Sequence, residues 1–167
     1  MADAENGATG GEIGILQRRR IEAAIVAPIY AGMVQEIGEA RAQAILDAAI
    51  SQAAIEAGRT FAEHTEGGTS LRTFQDLQSL WTQDDALEIE VLRATETHFD
   101  YNVHRCRYAE TYREMGLGAI GHLLSCNRDG VFCQGYDSRI TMQRTQTLME
   151  GAEHCDFRYT FAPDPAD

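Results

Sequence analysis

The chain is poor in positive charge: 14 Lys and Arg stand against 26 Asp and Glu, for a formal net charge of -12. Nucleic acid and anionic membrane surfaces are held by basic patches that neutralise phosphate, so neither partner class fits. Long apolar runs are also missing. The most apolar stretch, Ile21 to Ile37, is broken by Glu22, Pro28, Gln35 and Glu36, which excludes a membrane span there. Met1 to Gly14 has neither the basic start nor the apolar centre of a signal peptide, and a cytoplasmic location is the expectation. Cysteine is sparse, with Cys106, Cys126, Cys133 and Cys155 forming no CxxC pair and no disulfide-dense spacing, so they read as reduced thiols. No GxGxxG, Walker loop, HExxH, GxSxG or EF-hand loop occurs, and no cofactor is expected. The thiols and His104 match no standard zinc framework, so no metal ligand is assigned.

What is present fits one folded unit. A chain of 167 residues with 44% hydrophobic side chains is long enough for a single buried core. That domain is placed at 12–162, between a disordered tail at 1–11 and an acidic tail at 163–167. From about Glu12 to Ile37, the residues Ile21, Ala24, Ile25, Ile29, Met33, Val34 and Ile37 recur at helical spacing, with a kink or brief break expected at Pro28. Arg18-Arg19-Arg20 on this helix reads as a solvated face. A second helix, Glu39 to Ala57, carries Ala44, Ile45, Ala48, Ala49, Gln52 and Ile55 on one side and is interrupted by Gly58. The loop at 66–70 ends in a cap, and Ser70 to Gln83 forms a third helix.

Alternation marks the strands. Ala86 to Leu92 and Thr97 to His104 form a hairpin around Ala94-Thr95-Glu96, with Phe99, Tyr101 and Val103 on one face and His98, Asp100, Asn102 and His104 on the other. Cys106 opens a helix to Met115, Leu117 to Leu124 is a short helix, Ser125 to Gly130 is a turn, and Val131 to Tyr136 is a short strand. Arg139 to Tyr159 reads as a second hairpin, with Ile140, Met142, Arg144, Gln146 and Leu148 on one face opposite Cys155, Phe157, Tyr159 and Phe161. The fold class is α+β: N-terminal helices packed on a four- or five-stranded antiparallel sheet with a helical insertion. The apolar first helix also offers a surface for a homo-oligomer.

The candidate chemistry lies at strand ends and helix starts. Asn102, His104, Cys106, Cys126, Asp129, Cys155 and Asp156 are the catalytic candidates. Glu110, Arg144, Thr145 and Arg158 are candidates for substrate binding. Cys106 at a helix start has its thiolate favoured by the helix dipole, with His104 as a base nearby; Cys126 and Asp129 offer a second nucleophile and carboxylate. Each has an ordinary structural alternative as an inert buried thiol or a turn residue. Arg144 on an apolar face needs a carboxylate partner, either Glu110 or Asp129, because an unpaired buried charge is costly.

Several segments carry a resemblance: Arg18-Arg19-Arg20-Ile21-Glu22-Ala23 with Pro28, the run Tyr101 to Glu110, Cys126-Asn127-Arg128-Asp129, Arg144-Thr145-Gln146-Thr147 and Cys155-Asp156-Phe157-Arg158. Together they resemble the L-2-amino-thiazoline-4-carboxylic acid hydrolase family over about Arg18 to Tyr159. The resemblance implies hydrolytic opening of a small cyclic substrate with an amidine-like C=N, giving an N-carbamoyl-cysteine type of product. Chemistry then asks for Cys126 or Cys106 as nucleophile, Asp129 or His104 as acid/base, and Arg144 or Arg158 as a carboxylate clamp. A weaker resemblance, to 4-vinyl reductase type domains, implies a non-catalytic small-ligand module instead.

Overall fold

The computed structural model describes residues 13–162, so the tails expected at 1–11 and 163–167 lie outside the described residues. Two long helices lead: α1, Ile15–Ile37, and α2, Glu39–Glu63, joined at Gly38. Ser70 caps α3, Leu71–Asp76, in a reciprocal capping box with Thr73, as the loop sequence requires. The short α4, Gln78–Thr82, leads into β1, Leu87–Ala94, and β2, His98–Cys106. Next come α5, Arg107–Glu114, a π-helical turn at His122–Cys126, and α6, Asn127–Tyr136. β3, Ile140–Gln143, and β4, Cys155–Phe161, complete an antiparallel sheet in the order β1-β2-β4-β3. The chain is α+β, with helices on one face of a four-stranded sheet.

The strand register explains the core. Phe99 pairs with Tyr159, Tyr101 with Phe157 and Val103 with Cys155, so alternation turns all six toward the helices. Phe74, Phe132 and Tyr136 meet them from α3 and α6. Burying an aromatic or aliphatic side chain of this size stabilises by roughly 1.5–3 kcal/mol, which makes this face the main source of the domain's stability. A second cluster joins Ala23, Leu46, Ile50, Tyr108, Tyr112 and Leu123 between α1, α2, α5 and the π-turn.

Several sequence expectations are corrected. The turn at Ser125 to Gly130 and the strand at Val131 to Tyr136 are instead the end of the π-turn and α6. α2 does not stop at Gly58, because Gly58 and Gly135 let α2 and α6 cross backbone against backbone. A Cβ at Gly135 would run into the Ile55 carbonyl, and one at Gly58 into that of Phe132. The buried side of α2 is Ala42, Leu46, Ile50, Ala54 and Gly58, not the Ala44–Ile45 side. In α1, which runs unbroken through Pro28, Ala23 is buried, whereas Ile21, Ile25 and Ile29 face outward. Close packing selects the small side chain at a helix crossing. β3 ends at Gln143, so Arg144 to Thr147 is loop rather than strand, and Leu148 opens a 3-10 turn. Among the described residues, no helix is long and apolar enough to cross a membrane.

Candidate active site

The π-turn ends at Cys126, and α6 begins at Asn127, which brings Asp129 into the first turn of that helix. Arg144 leaves the end of β3 and reaches the same place. Its Nη1 donates to Asp129 Oδ2 at 2.5 Å and its Nη2 donates to the Cys126 carbonyl at 3.0 Å. The guanidinium also lies 4.9 Å from the Phe157 ring centroid, a cation–π contact on the inner face of the sheet. Arg144 is 11% exposed and Asp129 30% exposed, so the pair is screened yet reachable.

Asp156 fixes the loop that aims Arg144. Its Oδ1 accepts the backbone N–H groups of Thr145 and Gln146, both at 2.9 Å, and its Oδ2 accepts the Thr145 hydroxyl at 2.6 Å. Burial works to raise the Asp156 carboxyl, but these donors prevail and hold it below the usual range. Asp129 goes the other way. Burial pushes its carboxyl up, against the opposing pull of the Arg144 guanidinium. Among the described residues its Oδ1 receives no protein donor, which leaves one carboxylate oxygen free for a proton.

The four thiols are free, and burial pushes every one of them up: Cys106 to about 11, Cys133 to about 12, Cys126 further, and Cys155 in the same direction. The dipole activation expected of Cys106 is opposed by its burial. Cys106 does cap α5, accepting the Ala109 N–H on Sγ at 3.4 Å, but desolvation outweighs that bond. Cys155 Sγ likewise accepts the Leu148 N–H at 3.2 Å. A groove of about 560 Å³ is bordered by Arg144, Cys126, Gly130, Met142, Asn127 and Asp47, with Asp129 not among its lining residues. Asn127, on its lining, donates to Asp47 at 2.7 Å.

The remaining candidates lie elsewhere: alternation sends Asn102, His104 and Arg158 to the outer face, and Glu110 lies on α5. His104 Nε2 pairs with Glu90 at 2.9 Å, and its ring lies 5.9 Å from that of His154. Arg158 donates to the Tyr101 and Phe157 carbonyls and to Asn102 Oδ1, which leaves its guanidinium engaged by protein on the outer side. Glu110 pairs with Arg105, not with Arg144. The site thus gathers Cys126, Asp129 and Arg144, with Cys106 and Cys155 near and Thr145 and Asp156 behind them, while Asn102, His104, Glu110 and Arg158 stand apart. Sequence reasoning missed Tyr101 and Phe157 as site walls; alternation marked them only as core. Burial and the nearby Asp129 charge raise the Tyr101 phenol. Among the described residues, no three His, Cys, Asp or Glu side chains converge to hold a metal ion.

A family model described as L-2-amino-thiazoline-4-carboxylic acid hydrolase matches residues 18–159. None of the curated proteins compared with the chain matches it. Among solved structures, the chain is similar to the phenol-responsive sensory domain of the transcription activator PoxR with phenol, at TM-score 0.53 and 12% identity over 91% of this chain and 78% of that one. It is also similar to trafficking protein particle complex subunit 3 from Naegleria fowleri covalently bound to palmitic acid, at TM-score 0.45 and 12% identity, covering 86% and 97% of the two chains.

Proposed function

The chain belongs to the L-2-amino-thiazoline-4-carboxylic acid hydrolase family, and from that premise we propose that it opens a small 2-amino-thiazoline-4-carboxylate-like ring by adding water to the C=N carbon. The observation that carries the reading is the Asp129–Arg144 ion pair, whose arginine lines the groove. Asp129 takes a proton from water through its free oxygen, and the water oxygen bonds to the ring carbon. The C=N π pair shifts to the ring nitrogen, which takes up that proton from Asp129; the carbon–sulfur bond then breaks as the added hydroxyl becomes a carbonyl, its remaining proton passes through Asp129 to the departing sulfur, and the product is an N-carbamoyl-cysteine type of thiol. A carboxyl raised by burial is the better base for this work, because a base is most effective when its proton affinity approaches the working pH. Arg144 orients the carboxylate and steadies the charge that develops beside it. Water, not a cysteine, serves as nucleophile in this reading, because the thiolate is the reactive form and burial suppresses it. Incubation with 2-amino-thiazoline-4-carboxylate, followed by mass spectrometry, tests it: a gain of one water with release of a free thiol is expected, and unchanged ring after long incubation overturns it.

The fold likeness to a phenol-responsive sensory domain supports a second reading, a non-catalytic small-ligand module. A ring compound that raises the melting temperature and is recovered intact identifies that module. The exposed Ile21, Ile25 and Ile29 support a role for α1 in a homo-oligomer, and light scattering showing a strict monomer at high concentration removes it.

A further inference from the structure

A second ionic cluster forms around Arg128, the residue before Asp129, and both of its arginines act electrostatically on the Asp129 carboxyl. Within the run Arg18-Arg19-Arg20, the outer two side chains are exposed and Arg19 turns inward. Its Nη1 donates to both Glu22 oxygens, at 2.9 and 2.8 Å. Arg128, one residue before Asp129, donates from Nη2 to the same Glu22 Oε2 at 3.2 Å and from Nε to the Leu124 carbonyl at 2.8 Å. Exposure is 18% for Arg19, 12% for Arg128 and 38% for Glu22. Two largely shielded cations therefore share one carboxylate, and a positive charge is left over in a chain whose net charge is -12. Burial and the Arg19 charge together hold the Arg128 guanidinium below its ordinary range. A further anion would relieve that repulsion.

The donors for one are in place. Arg19 Nε and Nη2 and Arg128 Nη1 have no protein acceptor among the described residues. They are not sealed in either, since the Tyr30 hydroxyl is the sole described buried side-chain polar atom lacking a partner. The clamps expected from the sequence are otherwise occupied: Arg144 holds Asp129 and the Cys126 carbonyl, and Arg158 holds two carbonyls and Asn102. Guanidinium forks match a planar carboxylate with paired hydrogen bonds. We propose that Arg19 and Arg128 form the recognition site for the carboxylate of a small substrate, with Glu22 holding the two forks apart until it arrives. The identity of the ligand as a ring carboxylate rests on the hydrolase reading. The surplus charge and free donors do not.

The probe is thiazolidine-4-carboxylate, a saturated ring without the C=N bond, compared with its methyl ester by calorimetric titration of the full chain. The acid binds and the ester binds weakly or not at all. Arg128→Met and Arg19→Met each weaken the acid by about tenfold, the usual effect of losing one charge-assisted hydrogen bond. Glu22→Gln removes the internal competitor and tightens the acid, an outcome that a purely structural ion pair does not produce; it also decides the matter if the arginine variants fail to fold. Equal binding of acid and ester, arginine variants that bind like wild type, or a Glu22→Gln variant that binds no tighter each overturns the proposal. Turnover is followed separately: ring opening that treats acid and ester alike removes this site and leaves the hydrolase reading. Absent ring opening with the binding pattern intact removes the hydrolase reading and leaves the site.

Discussion

Arg144 and Asp129, fifteen residues apart in the chain, meet at 2.5 Å where the end of β3 faces the start of α6. The guanidinium is held at three points: the carboxylate, the Cys126 carbonyl and the face of Phe157. Lysine keeps the charge but not the planar fork, so Arg144→Lys leaves Asp129 less well oriented. The expected result is a fall in kcat worth about 1–3 kcal/mol with KM little changed, together with a lower Tm. A variant with a lowered Tm and wild-type turnover removes Arg144 from the site and leaves it a structural partner.

Asp129→Asn keeps the shape and an acceptor but cannot take a proton. Ring opening falls by about 10²–10⁴-fold if Asp129 is the base. In the wild type, activity rises with pH as the Asp129 carboxyl ionises, and because burial raises that carboxyl, the midpoint lies above the usual aspartate range. A midpoint at or below an ordinary aspartate would assign the base elsewhere.

The thiols give a contrasting expectation. Cys126→Ala and Cys106→Ala retain turnover within a few-fold, since burial keeps both sulfurs protonated at neutral pH. Complete loss of activity in either variant, with Tm unchanged, reinstates covalent catalysis.

Asp137, 4% exposed, accepts Nε and Nη2 of Arg139 at 2.9 and 2.8 Å and fixes the entry to β3. Burial acts to raise its carboxyl, but the Arg139 bonds prevail and hold it below the usual range. A carboxyl depressed in the folded state stabilises above the unfolded value, near about 3.9, and loses that contribution as pH falls through the lower folded value. Asp137→Asn is therefore less stable than wild type by about 1–3 kcal/mol at neutral pH. The difference shrinks as pH drops below about 4. Denaturant titrations of both proteins at several pH values check it, and a gap that widens in acid contradicts the assignment.

Gly135→Ala places a methyl group against the Ile55 carbonyl at the α2–α6 crossing. Alanine favours an isolated helix over glycine, yet here overpacking dominates and the domain loses about 1–3 kcal/mol or more. An unchanged or raised Tm would mean that the two helices separate at little cost.

The β1–β2 hairpin, the inward Phe99, Tyr101 and Val103, the Ser70 cap and the stop of α5 at Gly116 were all readable from the sequence. Each depends on a local rule: strand alternation, a side chain bonding its own helix start, or a glycine at positive φ. The inward pull of Arg144 was also legible, because a cation beside apolar residues must find a carboxylate. Which carboxylate it finds depended on α6. Asn127, Asp129, Gly130 and Gly135 each argue locally for a turn, and the helix forms because those glycines let it lie against α2 and Met142. In the same way, packing at the helix crossings, not the isoleucine periodicity of α1, decided that Ala23 in α1 and the Ala42–Leu46–Ile50–Ala54–Gly58 side of α2 are buried. Alternation set His104, Asn102 and Arg158 on the outer face from the start. Only the packed sheet and helices showed that the chemistry gathers on the other side, since side-chain convergence between α6 and the sheet is a property of packing, which no local spacing encodes.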